Sequence, residues 1–160
     1  MTDFFTHQLV ILLPGTKNGF VAPNVSLTGD PTSDRALLAD YISGVPVAMK
    51  GDLTIGIADG ATDSVVGLLV YDAAGTSPLD GIGGADQSGV LTYVYGLATV
   101  RVPSRVLATG TFAVGSKVYA GTGANLGKLT DSASATEQII GVVLSSVDKA
   151  NDGLIMQMAL

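Results

Sequence analysis

The side chains best suited to acid–base or metal chemistry are scarce in this sequence. It contains one histidine, His7, and no cysteine. Histidines that act in catalysis or bind metals usually lie in a folded pocket, whereas His7 lies near the N-terminus, in a segment interpreted below as an extended arm. One histidine cannot form a paired-histidine zinc motif. Without cysteine there is no disulfide framework, thiolate metal site or cysteine nucleophile. We therefore interpret His7 as an exposed arm residue.

A glycine-rich stretch, residues 121–129, partly resembles a phosphate-binding loop, because it contains the pair Gly127-Lys128. Such a loop needs a glycine five positions before that pair, where Thr122 stands. It also needs a serine or threonine after the lysine to hold magnesium, where Leu129 stands. No helical pattern follows that could direct a helix N-terminus at a phosphate. The stretch is predicted to be a turn.

A second partial motif, Asp148–Gly153, resembles the opening of a calcium-binding loop. Ala150 occupies a position that requires an oxygen ligand, and Ala159 stands where the loop needs a bidentate glutamate. The Asp152-Gly153 pair instead suits a tight turn with positive φ angles. This segment is therefore predicted to join two strands as a hairpin turn.

Two pairs of loop aspartates, Asp59 with Asp63 and Asp80 with Asp86, could meet around a cation. Turn carboxylates exposed to water are the more common use of such residues, and we predict that use here. No G-x-S-x-G motif is present, and His7 is the only histidine that could activate a serine. The sequence therefore predicts no catalytic, cofactor-binding or metal-binding residue, no cofactor and no enzymatic activity.

Composition and charge narrow the possible partners. Charged residues make up 14% of the 160-residue chain, hydrophobic residues make up 47%, and the formal net charge is −6. An acidic chain with scattered cations lacks the basic face that nucleic-acid binding requires. The longest apolar run, Leu9–Leu13, is far shorter than the ~18 residues of a membrane span. We expect neither a nucleic-acid nor a membrane partner, and we expect apolar surface to be buried between chains.

The frequent turn-forming residues along the sequence predict an all-β fold. Thirteen of the fourteen acidic residues are aspartate, which favours turns, and many of the 21 glycines stand beside Asp, Asn, Ser or Thr. A short helix over residues 35–42, capped by Ser33, is the one helical expectation. Glycines inside apolar strands, Gly67 and Gly141, predict bulges or close backbone approach. The expected strands are residues 45–49, 53–58, 65–71, 90–102, 117–120, 139–147 and 154–160.

The run 90–102 is the clearest strand in the sequence. Leu91, Tyr93, Tyr95 and Leu97 are expected on one face, with Val94, Ala98, Val100 and Val102 on the other. Because both faces are largely apolar, both are expected to be covered. In the last strand, one face is expected to carry Leu154, Met156, Met158 and Leu160.

The first part of the chain differs from the rest. An apolar run is broken by Pro14-Gly15, and further turn residues follow, which favours an extended arm or an added strand over a packed helix. Such an arm can add a strand to the edge of a neighbouring sheet. From their apolarity we infer that the candidate contacts with another subunit or a capsid are Phe4, Phe5, Leu9, Val10, Ile11, Leu12 and Leu13.

From residue 44 onward, short motifs follow one another in this order: Gly44-Val45-Pro46-Val47, Gly51-Asp52-Leu53, Ile57-Ala58-Asp59, Val66-Gly67-Leu68, the run 90–102, Gly115-Ser116-Lys117-Val118-Tyr119, Lys128-Leu129-Thr130, Ile140-Gly141-Val142-Val143, and an apolar strand after Asp152-Gly153. In this order they resemble the head-decoration, or structural cement, proteins of tailed bacteriophages. The resemblance covers roughly residues 44–160.

The resemblance implies a compact β-barrel-like domain of the β-tulip or β-clip type over residues 44–160, preceded by an N-terminal arm and lead-in segment over residues 1–43. Such proteins typically form homotrimers on the outer surface of the mature capsid and clamp neighbouring subunits. The partners implied are copies of the chain itself and the major capsid protein. The implied location is the outer surface of the virion, after synthesis in the cytoplasm of the bacterial host.

Two other functions stay open at the level of sequence. The same β-rich composition would serve another virion module, such as a tail, spike or baseplate component. A carbohydrate-binding surface domain is the third hypothesis, although aromatic residues make up only 6% of the chain and tryptophan is absent. A specific, saturable hit in a glycan screen would favour it.

Overall fold

The computed structural model of the chain describes residues 10–11, 16–21, 38–52, 54–70, 72, 90–133, 138–146 and 153–160. Within these ranges there are eleven β-strands, two single-turn 3-10 helices and no α-helix. The strands form two units, a closed barrel and a six-stranded sheet. The prediction of an all-β, barrel-like fold is confirmed.

The barrel contains five strands in the order β2-β4-β3-β5-β6. Neighbouring strands pair antiparallel, except that β2 and β4 run parallel where Phe20 lies opposite Thr54. Closure of the barrel leaves its strands without a free edge. The strands are β2 (Thr16–Val21), β3 (Pro46–Gly51), β4 (Thr54–Ile57), β5 (Val65–Leu69) and β6 (Val90–Val94).

The second unit is antiparallel throughout, with the order β1-β7-β11-β10-β8-β9. The 3-10 helices Ser104–Val106 and Gly123–Asn125 lie in the connections that follow β7 and β8. The strands of this sheet are β1 (Val10–Ile11), β7 (Leu97–Val102), β8 (Lys117–Ala120), β9 (Leu129–Thr130), β10 (Gly141–Ser145) and β11 (Leu154–Ala159).

The prediction that residues 90–102 form one strand is wrong. The run is split at Gly96, whose φ of +75° turns the chain from β6 in the barrel to β7 in the sheet. Tyr95 and Leu97 were expected to be covered with Leu91 and Tyr93, but they are 37% and 76% exposed. Positive φ is costly for residues with a Cβ and easy for glycine, so Gly96 permits the change of sheet.

The short helix predicted over residues 35–42 is also wrong for residues 38–42, the part of that range that the structure describes. Residues 38–40 form a turn, in which the Tyr41 N–H donates to the Leu38 carbonyl at 3.0 Å, and residues 41–42 are irregular. Residues 35–37 lie outside the described ranges. The strand expected over residues 45–49 is found as β3, and Pro46 is its first residue, where a missing N–H does least harm to the sheet.

The glycines inside strands permit close backbone approach, as predicted. A Cβ on Gly67 would lie 2.3 Å from the Val94 carbonyl oxygen, and one on Gly141 would lie 2.4 Å from the Gln157 carbonyl oxygen. The pairing of β3 with β5 also shifts register next to Gly67, between Val47 and Ala48. Any side chain larger than hydrogen would force neighbouring strands apart at both sites.

One hydrophobic core serves the barrel and the sheet. Buried residues of both units belong to the same packed cluster. The sheet contributes Leu154, Met156 and Met158, each fully buried on the face predicted from their alternation. Phe112, in the connection between β7 and β8, is the largest of the fully buried side chains among the described residues. Burial of aliphatic and aromatic surface of this kind contributes about 25 cal/mol per Å² to stability.

The two N-terminal strands join the rest of the chain by backbone pairing. In β1, Val10 lies opposite Arg101 of β7, and β2 pairs with β6 from Thr16 to Phe20. The division into an arm and lead-in over residues 1–43 and a domain over residues 44–160 stays a prediction, because it depends on segments outside the described ranges.

Candidate interaction surface

The apolar N-terminal residues predicted to make contacts are described only in part. Val10 and Ile11 form β1 and pair with β7 of the same chain, where they lie opposite Arg101 and Val100. This is the strand addition expected of the segment, made within one chain. Phe4, Phe5, Leu9, Leu12 and Leu13 lie outside the described residues. Their proposed contacts with another subunit or a capsid stay a prediction.

The six-stranded sheet has one covered and one exposed face. Along β7 and β11, alternate residues are buried, and the residues between them are exposed or half-buried. We call the second set, together with the exposed residues of β10 and β8, the outer face. Its aliphatic members are Leu97, Val142, Leu144, Ile155 and Ala159.

The outer face is unusual because several of its aliphatic side chains are exposed to solvent. Leu97 is 76% exposed, Leu144 46% and Val142 37%. The solvated face of an antiparallel sheet normally carries polar side chains in alternation with a buried apolar face. Exposed apolar groups gathered on one face are typical of a surface that another molecule covers.

A continuous row of side chains crosses the outer face. Thr99, Gln157, Val142 and Lys117 lie opposite one another on β7, β11, β10 and β8. The Thr99 hydroxyl donates to the Gln157 side-chain carbonyl at 3.3 Å. This bond pairs two polar side chains of the row with each other, and Val142 is the aliphatic residue between Gln157 and Lys117.

The charge of the sheet is opposite in sign to that of the chain. Its six described strands contain two cations, Arg101 and Lys117, and neither aspartate nor glutamate. All fourteen acidic residues and the other six cations lie outside these strands. The acidic residues that give the molecule its net charge of −6 therefore lie outside the strands of this sheet.

The first of the two candidate aspartate pairs lies in the connection between β4 and β5. The Asp59 N–H donates to the Asp63 carboxylate at 2.7 Å, and Lys50 forms an ion pair with the same carboxylate. The Asp59 carboxylate accepts the Ala61 N–H at 2.9 Å. That hydrogen bond, followed by one from the Thr122 hydroxyl, lowers the pKa of Asp59. Both aspartates lie in a turn, as predicted, but they are half-buried and hydrogen-bonded rather than exposed to water. Asp80 and Asp86 lie outside the described residues.

The same turn joins the barrel to the loop that resembled a phosphate-binding site. The Gly60 N–H donates to the Gly121 carbonyl at 3.1 Å. The stretch is a turn, as predicted, because a single 3-10 turn and then β9 follow, with no longer helix. In the parts of the chain that the structure describes, no group of three or more His, Asp or Glu residues could hold a metal ion.

Other chemical candidates fall outside the described ranges. These candidates are His7 and residues 147–152, which include most of the segment that resembles a calcium-binding loop. Gly153, the last residue of that segment, is described, has a φ of +81° and directly precedes β11. The strands on either side, β10 and β11, pair antiparallel as predicted for a hairpin. None of the described residues forms a helix of the length and apolarity needed to cross a membrane.

Sequence reasoning did not identify the outer face. Val142 and Leu97 look the same in the sequence as core residues, and their exposure depends on how the sheet packs. The charges did not mark it either, because the described strands of the barrel and those of the sheet each contain two cations and no acidic residue.

No protein-family model matches the chain, and no curated protein matches it significantly.

Proposed function

We propose that this protein is a decoration, or cement, protein of a tailed-bacteriophage head. In this role it binds the outer surface of the capsid as a homotrimer and stabilises the shell by clamping neighbouring subunits of the major capsid protein. Its location is the exterior of the virion, after synthesis in the bacterial cytoplasm. The role requires neither a cofactor nor catalysis.

The observation that carries the proposal is the outer face of the six-stranded sheet. Leu97, Val142 and Leu144 expose aliphatic surface on one face of this sheet. A protein that stays bound to a lattice keeps such a face covered, whereas a free monomer would leave it in water. The motif order, which resembles that of cement proteins, is the reason for proposing a phage capsid as this lattice.

The position of β1 supports the proposal independently. This strand is outermost in the sheet, and it comes from the apolar N-terminal segment. Backbone pairing at a sheet edge gives affinity without a particular side-chain sequence, which suits a segment that links protein units. Many identical contacts on one particle then add through multivalency, so that modest single contacts suffice.

The decisive experiment images phage heads with and without this chain. Heads that lack the protein are incubated with the purified chain and studied by electron cryomicroscopy, and bound protein is quantified by co-sedimentation. We expect added density at regular positions on the outside of the head, with saturable binding. Density on a tail, spike or baseplate would replace this proposal with the other virion role. Failure to bind particles, together with specific glycan binding, would favour the carbohydrate-binding alternative.

A further inference from the structure

The strands β1 and β2, which we call the N-terminal strands, pair with one continuous run of chain. In the barrel, β2 lies antiparallel to β6, with Thr16 opposite Val94. In the sheet, β1 lies antiparallel to β7, with Ile11 opposite Val100. Since β6 and β7 meet at the turn at Gly96, the N-terminal strands join the barrel and the sheet by backbone pairing.

This pairing requires only that the N-terminal strands reach β6 and β7. Residues 22–37 connect β2 to the turn over residues 38–40. Fully extended, a segment of that length spans up to about 50 Å. A compact domain of this size is about 40 Å across. The same hydrogen bonds and the same register are therefore available to the N-terminal strands of a neighbouring copy.

The contact between β2 and β4 is short and parallel. It consists of two residue pairs, Phe20 with Thr54 and Val21 with Ile55. Among the described residues, the Thr54 hydroxyl is the one buried side-chain polar atom without a hydrogen-bond partner. Parallel pairing is slightly less stable per residue than antiparallel pairing, and an unsatisfied buried polar group costs free energy. The barrel therefore opens at low cost between β2 and β4.

Apolar side chains are exposed where the N-terminal strands pass from the barrel to the sheet. Tyr95 and Leu97 lie on either side of Gly96, and both are exposed. They stand between the stretch that pairs with β2 and the stretch that pairs with β1. Exposed apolar side chains gathered at one place are typical of contact with another molecule. A neighbouring copy whose strands cross here brings its own chain close to Tyr95 and Leu97.

The segment that replaces β1 and β2 must restore the barrel as well as extend the sheet. Removal of β2 leaves β4 and β6 with free edges, which a closed barrel avoids. The N-terminal strands of a second copy have the strand lengths and the spacing that β6 and β7 require. A copy that gives its strands to a neighbour accepts an equivalent pair, so that every barrel is closed. The topology therefore favours a second copy of this chain over a foreign strand.

We propose that copies of this chain exchange their N-terminal strands, so that β1 and β2 of one copy complete the barrel and the sheet of its neighbour. Around a ring of three copies, this head-to-tail contact closes on itself. The inference names the contact between copies in the homotrimer, and in this it rests on the proposed function. Its test uses the purified chain without phage heads, so that it does not depend on capsid binding.

The test makes use of the absence of natural cysteine from the chain. Asn18 and Thr92 lie opposite each other on β2 and β6. Residues opposite each other on antiparallel strands are close enough for a disulfide. Asn18→Cys and Thr92→Cys are made in separate chains that carry different tags, and both chains are produced in one cell. After mild oxidation, disulfides between the differently tagged chains are measured on a non-reducing gel.

The matched control is a second pair of separate chains, with Thr99→Cys in one and Gln157→Cys in the other. These residues lie opposite each other on β7 and β11, which the exchange leaves within one chain. Val10→Cys with Arg101→Cys repeats the measurement at β1 and β7, where these residues are opposite each other. Circular dichroism and thermal unfolding of each variant check that the fold is retained.

We expect the Asn18→Cys and Thr92→Cys chains to form mixed disulfides at least about tenfold more than the control chains, because paired strands hold the two thiols at a high effective concentration. A single chain that carries both substitutions should be cross-linked mainly into trimers. The natural chain should sediment as a trimer in the absence of phage heads.

Disulfides confined to single chains, with mixed disulfides no more frequent than in the control, would overturn the exchange. If the natural chain nevertheless sediments as a trimer, its copies meet through another surface, and the proposed function stands. A natural chain that stays monomeric also overturns the exchange, and its binding to phage heads then decides separately whether it decorates capsids. Exchanged trimers that do not bind heads would overturn the proposed function and leave the exchange intact.

Discussion

The side-chain amide of Gln138 pairs with both backbone groups of Val65. The Val65 N–H donates to the Gln138 side-chain oxygen at 2.6 Å, and the Gln138 side-chain nitrogen donates to the Val65 carbonyl at 3.0 Å. Val65 begins β5 of the barrel, and Gln138 lies just before β10 of the sheet. The Gln138 side chain therefore makes the two backbone hydrogen bonds that a residue of a neighbouring strand would make, and it links the barrel to the segment that leads into the sheet.

Replacing Gln138 with alanine should lower the free energy of unfolding by about 1–3 kcal/mol, because the buried backbone groups of Val65 lose their partners. Gln138→Glu is a more specific comparison, since it keeps an acceptor for the Val65 N–H and loses the donor to the carbonyl. Urea unfolding measured for both variants checks the expectation. Stability equal to that of the natural chain in Gln138→Ala would show that the pair does not hold the units together.

Gly67→Ala should destabilise the barrel strongly. The added Cβ would lie 2.3 Å from the Val94 carbonyl oxygen and 2.4 Å from the Tyr93 ring, so β5 and β6 must separate. We expect a loss of about 1–3 kcal/mol or more. Gly115→Asn is the control, because nothing lies within 4 Å of a Cβ there and asparagine tolerates positive φ. If thermal unfolding shows the two variants to be equally stable, the close packing of β5 on β6 is wrong.

Phe112→Ala should cost about 3–5 kcal/mol, as expected when a fully buried aromatic ring is removed. Phe112 is unusual because it holds a φ of +46° without being glycine. Its N–H and that of Thr111 donate to the Asp131 carboxylate, at 3.3 Å and 2.8 Å. Chemical denaturation of Phe112→Ala and Phe112→Leu measures the effect of the ring. Retention of full stability by Phe112→Ala would contradict its place in the core.

Stability at acid pH should depend on Asp59. Its pKa in the folded protein is below the ordinary value of 3.8, because the Ala61 N–H and the Thr122 hydroxyl stabilise the carboxylate. A depressed pKa contributes stability that is present above the unfolded value and is lost as the pH falls through the folded value. The stability difference between the natural chain and Asp59→Asn should therefore shrink below pH ~4. Urea unfolding at a series of pH values tests this, and a difference that does not change with pH would refute it.

Deleting residues 1–13 should weaken attachment to phage heads while the remaining β fold is retained. The deletion removes β1 and with it the backbone partners of Arg101 and Val100 on β7. Deleting residues 1–8 alone is the matched comparison, since it leaves Val10 and Ile11 in place. Co-sedimentation with heads and circular dichroism measure binding and fold. Unchanged attachment of the shorter chain would exclude a role for the N-terminal segment.

Much of the fold could be predicted from local pattern. The alternation of Leu154, Met156 and Met158 identified the buried face of β11, and the strand predicted from residue 45 begins within one residue of the start of β3. These features depend on neighbouring residues and on the geometry of a single strand. They are therefore visible in the sequence before any packing is known.

The features that could not be predicted depend on distant contacts. The run 90–102 has the pattern of one strand, and nothing in the sequence marks Gly96, among 21 glycines, as the place where the chain changes sheet. The exposure of Val142 and Leu97 depends in the same way on which face of the sheet meets the barrel. Gln138 is one of several polar residues in a turn-rich region, and its pairing with Val65 arises only after both units have packed.

The pairing of β1 with β7 also bears on the order in which the chain folds. All five barrel strands lie between these two partners in the sequence, so β1 can reach its place only after a long loop of chain has closed. Closing a long loop costs more entropy than forming a local hairpin such as β10 with β11. We expect β1 to dock last, when the β7 edge has already formed. Until then, a newly made chain presents that edge to whichever suitable segment arrives first.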